Sequence, residues 1–346
     1  MKVDPTRLHQ DAVVVDCHND IAMSLALREL IGDRGTLEHR WIPELRAGGV
    51  DVQVMPIYVG NEPPEAALRS SLFQLQRVLD EAAANADEVS ICLDGSQIDD
   101  AVRSGRIAFV LALEGCHQFS TDVGLVRTFH RLGVRMMSFT HFGRTALADG
   151  SAEDDSGGRL TRAGVAVFKE MERLGILMDV SHLGAAGTEH VLQLATRPVI
   201  ASHSNARAVF DVHRNLSDGH IRQIAQTGGV IGVNFLPGIV NPKKPTIDGL
   251  TEQVDHLVEI AGIDHVGIGP DFITDYYRDR YPDSLQIVLE GIDARAEIPG
   301  LARASDLPRF TAALVERGYR EDDVRKILGE NFLRVFRDVM GKGYDA

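Results

Sequence analysis

The chain has 346 residues, 44% of them hydrophobic and 25% charged, and carries a formal net charge of −14 at pH 7. That length allows one large α/β barrel or two ordinary domains. The acidic balance argues against nucleic acid, whose phosphates call for clustered Lys and Arg, and equally against an anionic membrane surface. Cys17, Cys92 and Cys116 are too few and too scattered for a disulfide framework, which points to a reducing compartment.

The opening "MKVDPTRLHQ" is polar and carries no basic–apolar–small leader, so a cytoplasmic protein is expected. No apolar run approaches the roughly 20 residues of a membrane span. The first strand reads from "AVVVD" (12–16) and runs directly into Cys17, His18, Asn19 and Asp20, where a plain turn would use Gly, Pro or Ser. A second strand, "VDVQVMPIYV" (50–59), precedes a helix over 65–86 with apolar residues at three-and-four spacing. "IAFVLALE" (107–114) ends on Glu114, and a helix over 124–133 stops at a glycine. "VRMMSFTH" (134–141) ends on His141 and is followed by a helix over 161–175. "ILMDVSH" (176–182), "PVIASH" (198–203), "GVIGVNF" (229–235) and "HVGIGPD" (265–271) complete the set, with a helix over 250–262 before the last. Residues 274–305, with three Tyr and two Pro, read as a loop or lid over one barrel mouth. Residues 306–340 read as two more helices, expected against the outside of the barrel.

Eight buried strands separated by helical pattern predict a (β/α)8 TIM-type barrel with extra C-terminal helices, as a single domain over residues 1–346. An open doubly wound sheet is the alternative, but the Gly-rich phosphate loop that would favour it is missing after the first strand. In a barrel of parallel strands, His18, Asp20, Glu114, His141, His182, His203 and Asp271 all fall on the C-terminal rim, where such folds place their sites. Imidazole and carboxylate together suit Zn²⁺ and similar divalent ions, and the set exceeds what one tetrahedral ion needs. Two ions sharing a carboxylate would use nearly all of it and clamp the attacking and leaving oxygens of a hydrolysis. Each residue alone has a plainer reading. A lone His is more often a hydrogen-bonded core or rim group, which is the reading for His9, His39, His130, His190, His220, His256 and His265. A lone Asp after a strand is usually a helix cap, and Asp16 and Asp179 read as carboxylates bonded to backbone or to a neighbouring His. All the plainer readings would have to hold at once, which is the argument against them.

The ordered motifs carry a family resemblance. "DCHND" (16–20), "LRAGGVDVQ" (45–53), "ALEGCHQF" (112–119), "SFTHFGRTALADGS" (138–151), "MERLGILMDVSHLG" (171–184), "PVIASHSNARAV" (198–209), "HRNLSD" (213–218) and "HVGIGPDF" (265–272) resemble the membrane (renal) dipeptidases, peptidase family M19 of the amidohydrolase superfamily. The resemblance implies a binuclear zinc dipeptidase acting on L-Xaa–L-Xaa or L-Xaa–D-Xaa through a hydroxide bridging two Zn²⁺ ions, with other divalent metals possible. By position, His18 and Asp20 match ligands of the first ion, Glu114 the bridging carboxylate, and His182 and His203 ligands of the second. Asp271 matches the acid/base, His141 a substrate-binding residue that helps polarise the scissile carbonyl, and Arg214 the group that holds the substrate's terminal carboxylate. Without the family, Arg214 would read as a rim salt bridge. The precedent also suggests a homodimer.

Cys17, Cys116 and Pro270 stand where the family commonly has Gly; Cys17 reads as packing or as a further soft donor. Asp149 and the loops joining the third and fourth strands are candidates for the substrate amine. An N-acyl-amino-acid deacylase on the same scaffold is the close alternative. A lactonase or phosphotriesterase ranks lower, because those relatives bridge their metals with a carboxylated Lys where this chain has His141. A non-catalytic metal-binding protein is the last option.

Overall fold

The β-branched runs pair as parallel strands in the order in which they occur. In the computed structural model, which describes residues 3–60 and 62–341, β1 (Val14–Asp16), β2 (Val50–Tyr58), β3 (Ile107–Glu114), β4 (Val134–Ser138), β5 (Leu177–Asp179) and β6 (Val199–Ile200) form one parallel sheet. β7 (Ile231–Val233) and β8 (Val266–Ile268) pair in parallel with each other. A parallel bridge from Ala201 to Ile231 joins the two sheets, and Cys17 donates its N–H to Ile268 O at 3.1 Å. These contacts close the ring into a (β/α)8 barrel. The closure is tight: a Cβ on Gly232 or Gly269 would stand 2.0 or 1.9 Å from Ser202 O, so only glycine lets β7 and the end of β8 approach that carbonyl. A further short strand, Val89–Ile91, pairs with the first residues of β3.

Period-two alternation sorts the strand side chains. Ala108, Val110 and Ala112 on β3 join Val52 and Val54 on β2 in the barrel interior. Ile107, Phe109, Leu111 and Leu113 face the surrounding helices, in the larger cluster. Tyr58 and Glu114 continue the interior-facing register and so project at the C-terminal mouth. The outer helices follow capping rules. Arg162–Leu174 starts at Thr161, whose side chain accepts from Gly164 N, and ends at Gly175 with φ +68°.

β3 spans the whole of its apolar run, whereas β4, β5, β6 and β8 stop three residues short of the polar groups that end theirs, which leave the ladder for the rim. Helices Pro5–Asp11, Ile21–Leu30, Gly95–Arg103, Ala185–Leu194 and Asp218–Gln226 were not anticipated; they are short or sit in stretches without clean periodicity. Residues 274–305 hold helix Thr274–Arg280 and a hairpin, Val288–Leu289 with Ile292–Asp293. One C-terminal helix, Leu307–Arg317, packs outside against Pro5–Asp11 and Ile247–Ala261. The last helix, Asn331–Val339, corrects the expectation of an outside position. It lays Phe332 and Phe336 into the interior cluster, and Arg334 Nη1 donates to Gly228 O at 2.7 Å ahead of β7. The fit depends on Gly267, where a Cβ would stand 2.4 Å from the Phe332 ring. The helix therefore plugs the N-terminal mouth and leaves the other mouth for the site.

Candidate metal centre

The strand ends bring seven of the eight singled-out side chains to one place. His18 and Asp20 follow β1, Glu114 ends β3, and His141, His182, His203 and Asp271 stand three residues past β4, β5, β6 and β8. The donor atoms of His18, Glu114 and His203 lie within 4.8 Å of one another, as do those of Glu114, His141 and His182, and those of His18, Asp20 and Asp271. Glu114 is central: its Oε1 is 3.0 Å from His182 Nε2 and 3.5 Å from both His18 Nε2 and His203 Nε2. The His18 and His203 rings stack with centroids 3.6 Å apart. His182 (φ +68°) and Asp271 (φ +62°) adopt the left-handed region, a strain of about 1–3 kcal/mol each that aims their side chains inward. Asp271 N donates to His18 O at 2.9 Å, which locks the end of the eighth strand to the end of the first.

Burial dominates the electrostatics. It pushes the Asp20 and Glu114 carboxyls well above their usual range, and neighbouring carboxylates push them further. Asp271 rises to about 6 by burial, although a hydrogen bond from Asn234 Nδ2 at 2.8 Å and the Arg214 charge pull it down. Burial and nearby cations hold His18, His182 and His203 well below the usual histidine range, and His141 falls to about 3. These imidazoles are neutral, and the Nε2 atoms of His18, His182 and His203 face the Glu114 carboxyl.

A network behind the donors fixes one tautomer. Ser202 Oγ donates to Asp179 Oδ2 at 2.5 Å and stands 2.7 Å from His203 Nδ1. The hydroxyl proton points to Asp179, so His203 carries its own proton on Nδ1 and turns the Nε2 lone pair toward Glu114. That lone pair meets His182 Nε2 at 2.9 Å. Both ring nitrogens of His18, Asp20 Oδ1 and His182 Nδ1 are buried without a hydrogen-bond partner. Buried orphan groups of this kind are costly. Divalent cations among these nitrogens and oxygens would satisfy the inward-facing donors and discharge the carboxylates, so the residues fit a metal centre.

Arg214 joins from beside the cluster rather than from its main pocket. It is buried, donates from Nη1 to Ser204 Oγ at 2.8 Å and from Nη2 to His203 O at 2.7 Å, and its Nε lacks a partner. It lines a separate cavity of about 80 Å³ that also touches His182. Asp149 does not serve the site: it pairs with Arg144 and accepts from Ser156 Oγ at 2.5 Å. Cys17 packs in the interior apolar cluster and belongs to none of the donor groups. Asp16 accepts from His18 N at 3.0 Å, a backbone-bonded carboxylate whose pKa burial lifts to about 7.

Two site residues escaped the sequence reading. Tyr58 lines the pocket with its hydroxyl 3.4 Å from His141 Nδ1, and Asn234 holds Asp271. Both are the first polar side chains at the ends of β2 and β7, the same signal that marked the others. Ser202 was hidden beside His203, because it holds that ring from behind and does not itself line the pocket.

Against known proteins, residues 4–286 and 289–342 match the membrane dipeptidase family (peptidase family M19). A curated relative, dipeptidase verJ of Clonostachys rogersoniana, is 31% identical over 276 residues, covering 79% of this chain and 66% of that protein. The chain thus aligns with just under two thirds of that relative's length. Among solved structures, the family M19 metallopeptidase dipeptidase AC matches with a TM-score of 0.83 at 25% identity, covering 95% of this chain and 99% of that one. A metallopeptidase from Rhodobacter sphaeroides, bound to a phosphinate mimic of the dipeptide L-Ala-D-Ala, matches with a TM-score of 0.82 at 24% identity, covering 95% of this chain and all of that one. By its motifs, its barrel and this match along nearly its whole length, the chain belongs to the membrane dipeptidase family, peptidase family M19, a family of metal-dependent dipeptidases.

Proposed function

We propose that the protein is a binuclear zinc dipeptidase that hydrolyses L-Xaa–L-Xaa or L-Xaa–D-Xaa. The observation that carries the reading is Glu114, buried at the centre of His18, His182 and His203, with Asp20 and Asp271 completing the group. His18 and Asp20 would hold one ion, His182 and His203 the other, and Glu114 both. When bound, such ions supply a water of lowered pKa and polarise the scissile carbonyl.

The chain's own residues do the rest. Asp271 is oriented by Asn234 and carries a pKa of about 6. It takes the proton of the attacking water and delivers it to the leaving amine. Neutral His141, braced by Tyr58, donates a hydrogen bond to the oxyanion as charge develops there. Arg214 uses a hydrogen on each Nη for Ser204 and His203, and its remaining N–H groups receive the substrate's terminal carboxylate. The curated relative is named a dipeptidase, and a solved relative binds a dipeptide mimic, which supports the same substrate class here.

One observation favours a second reading, an N-acyl-amino-acid deacylase. The carboxylates lining the main pocket are Asp20, Glu114 and Asp271, all part of the donor group, and none is left over for a free amine. The test is a substrate panel. Zinc-loaded protein is offered L,L- and L,D-dipeptides beside N-acyl amino acids, with metal content measured in parallel. Turnover of the dipeptides with two zinc ions per chain is expected. Strong turnover of the acylated compounds alone would replace the dipeptidase assignment.

A further inference from the structure

The metal pocket shares Tyr58, Tyr277 and Leu289 with a much larger groove of about 750 Å³, within the range of small-molecule sites. Three elements build its walls: helix Ile21–Leu30 supplies Met23 and Leu27, helix Pro64–Ala84 supplies Phe73, and the segment after β8 supplies Tyr276 and Tyr281. The charged groups it touches, Glu62, Arg69 and Arg280, are exposed. Glu62 is engaged by Ser70, and Arg280 lies over the Tyr281 ring. Phe73 and Tyr281 are nevertheless 36% and 44% exposed, a contiguous apolar and aromatic surface of the kind that marks a binding site.

Shared wall residues set the order of the cavities. His182 links the main pocket to the cavity of Arg214, whereas Tyr58, Tyr277 and Leu289 link it to the groove. No residue lines both the cavity of Arg214 and the groove, so the metal pocket stands between them in the succession of shared walls. With the substrate's carboxylate at Arg214, as proposed above, the residue on the other side of the scissile bond points toward the groove. We infer that this groove is the subsite for the side chain of the substrate's N-terminal residue, and that it selects bulky apolar or aromatic groups. The inference rests on the dipeptidase reading and adds the substrate's chemical class to it.

The test compares kcat/KM for L-Phe–L-Ala, L-Ala–L-Phe and L-Ala–L-Ala in the zinc-loaded protein. A preference of about tenfold or more for Phe–Ala over Ala–Ala is expected, since apolar side-chain differences discriminate by roughly 10–200-fold. Ala–Phe should gain much less. Phe73→Asp should cut the Phe–Ala to Ala–Ala ratio at least about fivefold, and Phe73→Leu should restore most of it. The ratio is independent of the folded fraction of either variant. A wild-type ratio near one, or a ratio that Phe73→Asp leaves unmoved, overturns the subsite while dipeptidase activity stands. A dimer that Phe73→Asp splits in sedimentation, with the ratio unchanged, assigns the surface to a second copy instead. No turnover of any dipeptide sinks both this inference and the reading beneath it.

Discussion

Asp271 answers to three neighbours: Asn234 on one carboxylate oxygen, His18 through the backbone, and the Arg214 charge across the site. Replacing it with Asn keeps the shape and removes the proton acceptor. Asp271→Asn is expected to retain the metal content of the unaltered protein and lose about 100- to 10,000-fold in kcat, read from steady-state kinetics beside elemental analysis. Full metal content with wild-type kcat would move the proton transfer elsewhere. Ser202 tests the layer behind the ligands, because its hydroxyl alone connects Asp179 to His203 Nδ1. Ser202→Ala should weaken the ion at His203 by about 10-fold or more in chelator competition, in line with other residues that orient a ligand from behind. Unchanged affinity would show that packing alone sets the His203 ring.

Among the outer helices, Glu170 accepts from Arg173 of its own helix, Arg162–Leu174, at 2.8 Å and ties that helix to Gly124–Arg131 by accepting from Arg127 at 2.9 Å. Hydrogen bonds from Arg173, then Arg127, hold its pKa down at about 2. A depressed carboxylate stabilises the fold above its ordinary pKa and stops doing so as pH falls toward 2. Because both arginines are substantially exposed, screening limits the effect to about 1 kcal/mol. Glu170→Gln should cost that much in urea unfolding at pH 7, and the difference should fade between pH 4.5 and pH 2. A difference that stays constant over that range would mean packing, not charge. The same elements show what a sequence can and cannot disclose. Strand cores such as "IAFVLALE" and helix stops such as Gly175 are local and were legible. The site donors were legible because each is a polar residue at the end of an apolar run. The groove walls and the plugging helix were not, since Phe73, Tyr281 and Phe332 look like ordinary apolar residues until the chain closes.

At the scale of the whole molecule, the metal centre proposed above would also act as a stability device. Without ions, Asp20, Glu114 and Asp271 crowd together at one mouth, and burial opposes their charge. Chelation should lower the melting temperature, and added zinc should restore it in a concentration-dependent way, by about 4 kcal/mol per site at 1,000 times the dissociation constant. An unchanged melting temperature would mean that the ions add nothing to the fold. The hydrogen bond from Asp271 N to His18 O carries a consequence for biogenesis. Its two ends are 253 positions apart in translation order (271 − 18), so a nascent polypeptide emerging from the ribosome presents His18 long before Asp271. The ligands proposed above end at His203, so a nascent chain would carry every one of them before Asp271 is made, and proton transfer rather than cation capture would wait for the final barrel segment.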